Sequence, residues 1–335
     1  VKAPFVWFGG KRKVAPQVWE ALGDVDNYVE PFAGSLAVLL ERPHHLADGS
    51  CRAETVNDAD HYLANFWRAL ASDPEIVAAY ADWPVNEDDL FARHLWLVNE
   101  GRATLAQGLE LDPMFYDAKI AGWWVWGVNA WIGSGWCSGT GPWDYEATRA
   151  RASTASSLTS AADEDDTSQL PHLGNAGRAG YNNLSYRSAG IAAYMSQLAE
   201  RLRDVRVCTG DWSRVVTKGA LSFGASVGVF LDPPYAEDVR TAGLYASETV
   251  DVAIACRDWA ITNGDNQRYR IVLAGYSTEH DDAIPKSWRR IRWSASAAYQ
   301  TSTSSGGNKD NRHGEVLWCS PACLVTQASL FDEAS

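Results

Sequence analysis

A chain of 335 residues, 46% hydrophobic and 21% charged, can bury a substantial core, and its composition is that of a globular protein with one large domain or two modest ones. No stretch is apolar for long enough to cross a bilayer and no secretion signal opens the chain, so a cytoplasmic location, no membrane partner and free rather than paired cysteines are expected. A formal net charge of -13 weighs against phosphate-rich partners, although Lys286, Arg289, Arg290 and Arg292, followed by Lys309 and Arg312, leave room for a local basic surface.

Along the chain, residues 27–33 read as a short apolar strand running into a turn, followed by a helix over 35–42. A second strand is predicted over 53–57, and Asp58 or Asp60 can cap a helix through 63–70. Helical stretches follow over 76–83 and 88–99. A block then holds six of the sixteen tryptophans: Trp123, Trp124, Trp126, Trp131, Trp136 and Trp143. Such rings can stack on bases, but burial is the commoner use. Residues 152–180 are rich in Ser, Thr, Ala, Gly and acids, which bury little, and read as an exposed flexible loop.

Alternation then resumes. A helix over 191–203, strands over 205–208 and 227–231, a helix over 250–263 and a strand over 269–273 lead to strands over 289–293 and 315–318. Strand and helix in turn are the grammar of a parallel sheet with crossover helices. The expected architecture is an α/β domain split between 1–84 and 191–335, with a mainly helical module, 85–190, inserted. Cys319 and Cys323 lie close together but lack a second Cys/His pair, so no metal site is expected.

Four short segments carry chemistry. In Leu231-Asp232-Pro233-Pro234-Tyr235 an apolar strand ends in an acid, two prolines and an aromatic, where open α/β sheets bind ligands. The prolines remove two amide donors and leave carbonyls to accept from an amine; Asp232 adds a carboxylate and Tyr235 a ring face. The plain alternative is a proline turn. Glu30-Pro31-Phe32-Ala33-Gly34-Ser35 puts a glycine turn between strand and helix, where a ligand can approach the backbone, though packing explains one glycine equally well. Asp58, after Asn57 at a strand end, is placed either to bond a ribose diol or to cap a helix. Phe8-Gly9-Gly10-Lys11 brings two glycines and a positive charge, and taken alone reads as a solvated loop.

The order WFGGK, EPFAG, ND, a long insertion, GDW and DPPY resembles the Dam-like N6-adenine DNA methyltransferases of alpha-type motif order, and the variant motifs look like bacteriophage members. The resemblance spans both halves of the α/β domain. It implies a Rossmann-like sheet using S-adenosylmethionine, without a metal, on a flipped adenine of double-stranded DNA, with 85–190 as target-recognition module; monomer and dimer stay open. Residue by residue, it puts Trp7, Gly10 and Lys11 near the cofactor, Glu30, Pro31, Phe32, Ala33 and Gly34 around its methionine part, and Asp58 on its ribose. Asp211 and Trp212 fall beside its adenine, with Trp212 replacing the usual Phe, and Asp232, Pro233, Pro234 and Tyr235 form the catalytic motif. Leu36 departs from the pattern, standing where many members have a second glycine. The module also lacks the Arg-rich asparagine motif, so no target sequence carries over.

Rival readings keep the fold and change the task. They are methylation of an RNA adenine or of cytosine N4, or a silent cofactor- and DNA-binding protein. DPPY rather than SPPY disfavours cytosine, and an intact DPPY disfavours silence. A metal-dependent nuclease using Asp211 and Asp232 would give the prolines no role.

Overall fold

The computed structural model describes residues 1–5, 11–43, 52–112, 114–131, 136–137, 188–234, 246–293 and 315–324. Two compact units emerge. One gathers 60–203 with 3–6, and the other holds 7–59 and 204–335. The first unit thus takes in the helices of 61–81 and 188–202, most of which the sequence reading groups with the sheet.

The second unit is built on a seven-stranded sheet of order β3-β2-β1-β4-β5-β7-β6. Its strands are β1 (Asn27–Glu30), β2 (Ala53–Asp58), β3 (Val205–Thr209), β4 (Val227–Leu231), β5 (Tyr269–Tyr276), β6 (Arg289–Arg292) and β7 (Glu315–Cys319). All neighbours pair in parallel except β7, which runs antiparallel to both β5 and β6. This is a Rossmann-like, mixed α/β sheet.

Both faces of its centre are covered, which is why β4 is apolar at every position but Gly228 and buried throughout. Val29, Val227, Val229, Leu231, Ile271 and Leu273 point to one face, where they join Cys256 and Ala260 of helix α9 (Ala246–Asn263). On the other face Tyr28 meets Trp19 of α1 (Ala15–Leu22) with ring centroids 4.7 Å apart. Gly228 matters there, since a Cβ on it would lie 3.0 Å from Val25 and 3.4 Å from Leu22.

The first unit is helical among its described residues. It holds α3 (His61–Ser72), α4 (Pro74–Ala81), α5 (Glu87–Trp96), a π-helical turn (Leu97–Gly101), α6 (Arg102–Leu111), α7 (Ala118–Ala130) and α8 (Ser188–Leu202). Side-chain caps set the starts. Asp60 accepts from Tyr62 N, Asn86 from Asp89 N and Asp117 from Ile120 N. Within the tryptophan block Trp124, Trp126 and Trp131 are buried, Trp123 and Trp136 partly so, and Trp143 lies outside the described residues. Trp124 packs edge-on against Phe5 at 5.2 Å. The block is mostly core, and the face of α7 that carries Gly122 closes onto α4 because no Cβ intervenes.

The helix expected over 35–42 shrinks to α2 (Ala37–Leu40). Its shortening has a local cause. Leu36 adopts the left-handed conformation, φ 58 and ψ 25, and its N–H donates to the Ala33 carbonyl at 2.8 Å, closing a tight turn. The backbone thus keeps a glycine-like bend at the position where the resembling family often has glycine. Leu36 is fully buried, so packing holds the strained conformation. Leu36→Gly should relieve about 1–2 kcal/mol of strain yet lose about 3–5 kcal/mol of buried side chain, a net destabilisation of about 1–4 kcal/mol. Urea denaturation measures it, and an unchanged midpoint would mean that strain and packing cancel.

Candidate active site

The carboxyl ends of β1, β2, β3 and β4 carry Glu30, Asp58, Gly210-Asp211 and Asp232 respectively. Strand order reverses between β1 and β4, because β1 continues to β2 on one side while β4 leads to β5 on the other. Loops leaving the two strands diverge, and the crevice between them is where open α/β sheets hold ligands.

Asn57 and Asp58 tie the crevice together. The Asn57 side-chain amide donates to Pro31 O at 3.1 Å and to Gly210 O at 2.9 Å, joining the loop after β1 to the loop after β3. Its own carbonyl oxygen is buried and makes no hydrogen bond. Asp58 Oδ2 accepts from Gly34 N at 3.0 Å. Of the two acids that could cap α3, the structure uses Asp60, and Asp58 instead faces the glycine turn. Gly34 and Gly210 have φ values of 46 and 116, which L side chains rarely adopt.

Next to them, Asp211 caps the short 3-10 turn Trp212–Val215, accepting from Ser213 N at 2.9 Å and from the Ser213 hydroxyl. Trp212 is buried, stacked on Phe32 with centroids 6.1 Å apart and edge-on to Trp259 at 6.5 Å. The pair forms a wall from two loops.

Asp232 ends β4 partly exposed, with Pro233 buried and Pro234 exposed after it. Lys11 opens the 3-10 turn Lys11–Lys13 and is 4% exposed. Its Nζ lies 3.0 Å from Asp232 Oδ1 and 5.6 Å from the centre of the Trp293 ring. Sequence reading puts Lys11 with the cofactor; the structure adds its contact with the DPPY acid. Trp293 was not singled out by sequence. It follows a basic strand and sits far along the chain from DPPY, so no spacing announces it.

Glu30 is deeply buried. Removal from water pushes its carboxyl well above the ordinary 4.5, to about 8, with the charge of Asp232 adding to the rise; the Tyr28 hydroxyl, donating to Oε2 at 2.9 Å, partly offsets it. At neutral pH Glu30 therefore carries a proton, and the charged pair beside it is Lys11 with Asp232.

The expected basic surface is only partly available. Arg289 donates to Leu324 O at 2.8 Å, and Arg290 donates to Asp281 O at 2.8 Å while pairing with its carboxylate at 3.5 Å. Arg292 and Lys286 are exposed. They belong to an edge strand and the turn before it, where exposed cations also discourage pairing with another chain. Trp7, Gly10, Tyr235, Lys309, Arg312 and the loop 152–180 lie outside the described residues. Among the described residues no cluster of three or more His, Cys, Asp or Glu could hold a metal, and no helix is long and apolar enough to cross a membrane.

The model of one protein family, D12 class N6 adenine-specific DNA methyltransferase, matches residues 7–96. That stretch contains FGGK, EPFAG and Asn57-Asp58 and ends before Gly210-Asp211 and DPPY, which the fold brings beside it. No curated protein matches the chain.

The Glu30 proton has a measurable consequence. The unfolded carboxyl loses its proton near pH 4.5, whereas the folded one keeps it to about 8. Stability is therefore lost as pH rises through that window, by at most about 1.4 kcal/mol per pH unit for one proton. Glu30→Gln, which mimics the protonated acid, should flatten this slope. Equal slopes for variant and wild type in urea denaturation between about pH 5 and 8 would assign the buried carboxyl an ordinary pKa.

Proposed function

We propose that this chain, a Dam-like D12-class N6 adenine-specific DNA methyltransferase, positions its target amine with Asp232 and the Pro233 carbonyl and seats S-adenosylmethionine along the ends of β1, β2 and β3. It methylates N6 of adenine in DNA. The observation that carries the mechanistic reading is the Lys11–Asp232 contact at 3.0 Å, which shows the DPPY carboxylate already engaging a nitrogen donor at the end of β4.

The residues present suit the cofactor. A ribose diol and an adenine amine offer donors, and the crevice offers acceptors: the Asp58 carboxylate, the Asp211 carboxylate and the unpartnered side-chain Oδ1 of Asn57. Gly34 and Gly210 leave the backbone open to close approach, and Phe32 with Trp212 forms an apolar wall. S-adenosylmethionine, when bound, supplies an electrophilic methyl group.

The chain's own groups do the rest. An adenine amine is a poor nucleophile because its lone pair is spread into the ring. Hydrogen bonds from its two N–H groups to Asp232 and Pro233 O draw the nitrogen toward tetrahedral geometry and localise that pair. The amine takes the place of the Lys11 ammonium on Asp232, so one donor replaces another and the carboxylate is never left bare. Glu30, protonated at its buried site, adds no second negative charge against Asp232. Much of the gain is positional, which can be worth several kcal/mol or more. Reaching the amine in double-stranded DNA requires flipping the base, and the ring of Tyr235 offers a stacking face.

Under this reading the inserted 85–190 module selects the sequence, the exposed Arg292 and Lys286 contact phosphates, and the protein works in the cytoplasm without a metal. Methylation calling on host DNA expressing the protein tests the reaction and finds the target site. Unmodified adenines throughout would overturn it.

Two variants separate binding from chemistry. Asp58→Ala should fold and lose cofactor affinity by about tenfold to a hundredfold, since each hydrogen bond to a charged group is worth about 1.5–3 kcal/mol. Calorimetry giving wild-type affinity would confine Asp58 to bracing the Gly34 turn. Asp232→Ala should still bind cofactor yet lose methyl transfer by about 10²-fold or more. Asp232→Asn should fail too, because its amide turns a donor toward the substrate's donors. Tritium transfer to duplex DNA reads both, and near-normal transfer by folded Asp232→Ala would return DPPY to a structural turn.

A further inference from the structure

We propose that Trp293 is a specificity-determining residue, its indole N–H donating to a ring nitrogen that flanks the amine of the target adenine. The proposal rests on the reading of Asp232 as holder of that amine.

Trp293 follows β6 and is fixed by its backbone N–H, which donates to Glu315 O at 3.1 Å at the start of β7. It is 9% exposed, and its Nε1 is buried without a hydrogen-bond partner. Buried indole N–H groups ordinarily find an acceptor, so an orphan in a well-braced side chain is a place where an incoming group completes the structure. A second observation places the indole beside the DPPY acid. One ammonium, Lys11 Nζ, touches both Asp232, at 3.0 Å, and the Trp293 ring, at 5.6 Å from its centre. The indole therefore borders the position that the target amine takes when it replaces Lys11.

The chemistry gives the donor a purpose. Asp232 and Pro233 O are acceptors and would hold any exocyclic amine alike. Adenine differs from other amino-bearing bases in having ring-nitrogen acceptors, N1 and N7, on both sides of the amine, whereas cytosine has one and guanine presents N1–H beside its amine. A fixed N–H donor next to the holder favours adenine over bases that place C–H or N–H there. Rejection is strongest where a buried donor would be left unpaired.

The test uses the full chain with duplex oligonucleotides bearing the target site found by methylation calling. The target position holds adenine, 1-deazaadenine or 7-deazaadenine. Trp293→Phe keeps a ring face and removes the N–H. Its kcat/KM on adenine should fall about fivefold to tenfold, as for one lost hydrogen bond. Wild type should lose a similar factor on one deaza base, and the variant should lose nothing further on that base. That coupling identifies N1 or N7 as the acceptor, and a merely structural Trp293 would not produce it. Replacing Trp293 with benzothienylalanine, which exchanges the N–H for sulfur at constant shape, carries the same comparison should the Phe variant not fold. Unchanged activity on adenine, or losses that multiply independently on both analogues, overturns the proposal alone. Wild-type protein that leaves adenine unmethylated overturns the reading of Asp232 and this inference with it.

Discussion

The parallel pairing of β1 with β4 is the constraint on which the site depends. Asn27, Tyr28 and Val29 lie against Val227, Gly228 and Val229, so two stretches remote in sequence share one register. Because the chain leaves β1 toward one edge of the sheet and β4 toward the other, their carboxyl ends open a crevice without any dedicated loop design. Apolar burial on both faces makes this pairing hard to shift, and Gly228 lets the helix side close onto it.

Around that crevice the electrostatics are those of an acceptor-rich site. Glu30, Asp58, Asp211 and Asp232 stand at successive strand ends, while Lys11 is the cation described against them. Such a concentration of carboxylates would be self-repelling if all were bare. Burial protonates Glu30, the Gly34 amide and the Ser213 amide each donate to an acid, and Lys11 pairs with Asp232. The arrangement suits ligands whose recognisable groups are donors, and it reconciles an acidic chain with a DNA substrate. Under the proposed reading, negative charge gathers where hydroxyls and amines would be held, away from where phosphates need cations.

The basic run near β6 shows how a sequence pattern can mislead about availability. Lys286, Arg289, Arg290 and Arg292 look like one patch along the chain. In the fold, alternation along a strand separates Arg289 from Arg290 and Arg292, and two of the arginines spend their guanidinium groups on Leu324 and Asp281. The tryptophan block is similar. Its density suggests a stacking surface, yet Trp124, Trp126 and Trp131 are used as core of the helical unit.

Much of this protein was legible residue by residue. A strand buried on both faces of a parallel sheet is a continuous apolar run, so β4 was readable to the residue, and the bounds read for β2, β3 and β7 fell within one residue at an end. The motif order through EPFAG, Asn57-Asp58, Gly210-Asp211 and DPPY pointed to the chemistry, because the combination resembles one enzyme family where each motif alone reads equally well as a turn, a cap or packing. Helix α1 escaped notice, and so did α6, which carries Gly108, a poor helix former. The left-handed Leu36 was not legible either, since nothing local favours that conformation and only full burial enforces it. Nor could spacing reveal that Lys11 reaches Asp232, that Asp60 rather than Asp58 caps α3, or that Trp293 lies against the same Lys11. Those facts depend on which strand lies beside which. Strand order is decided by long-range packing of the sheet's two faces, and local pattern carries no record of it.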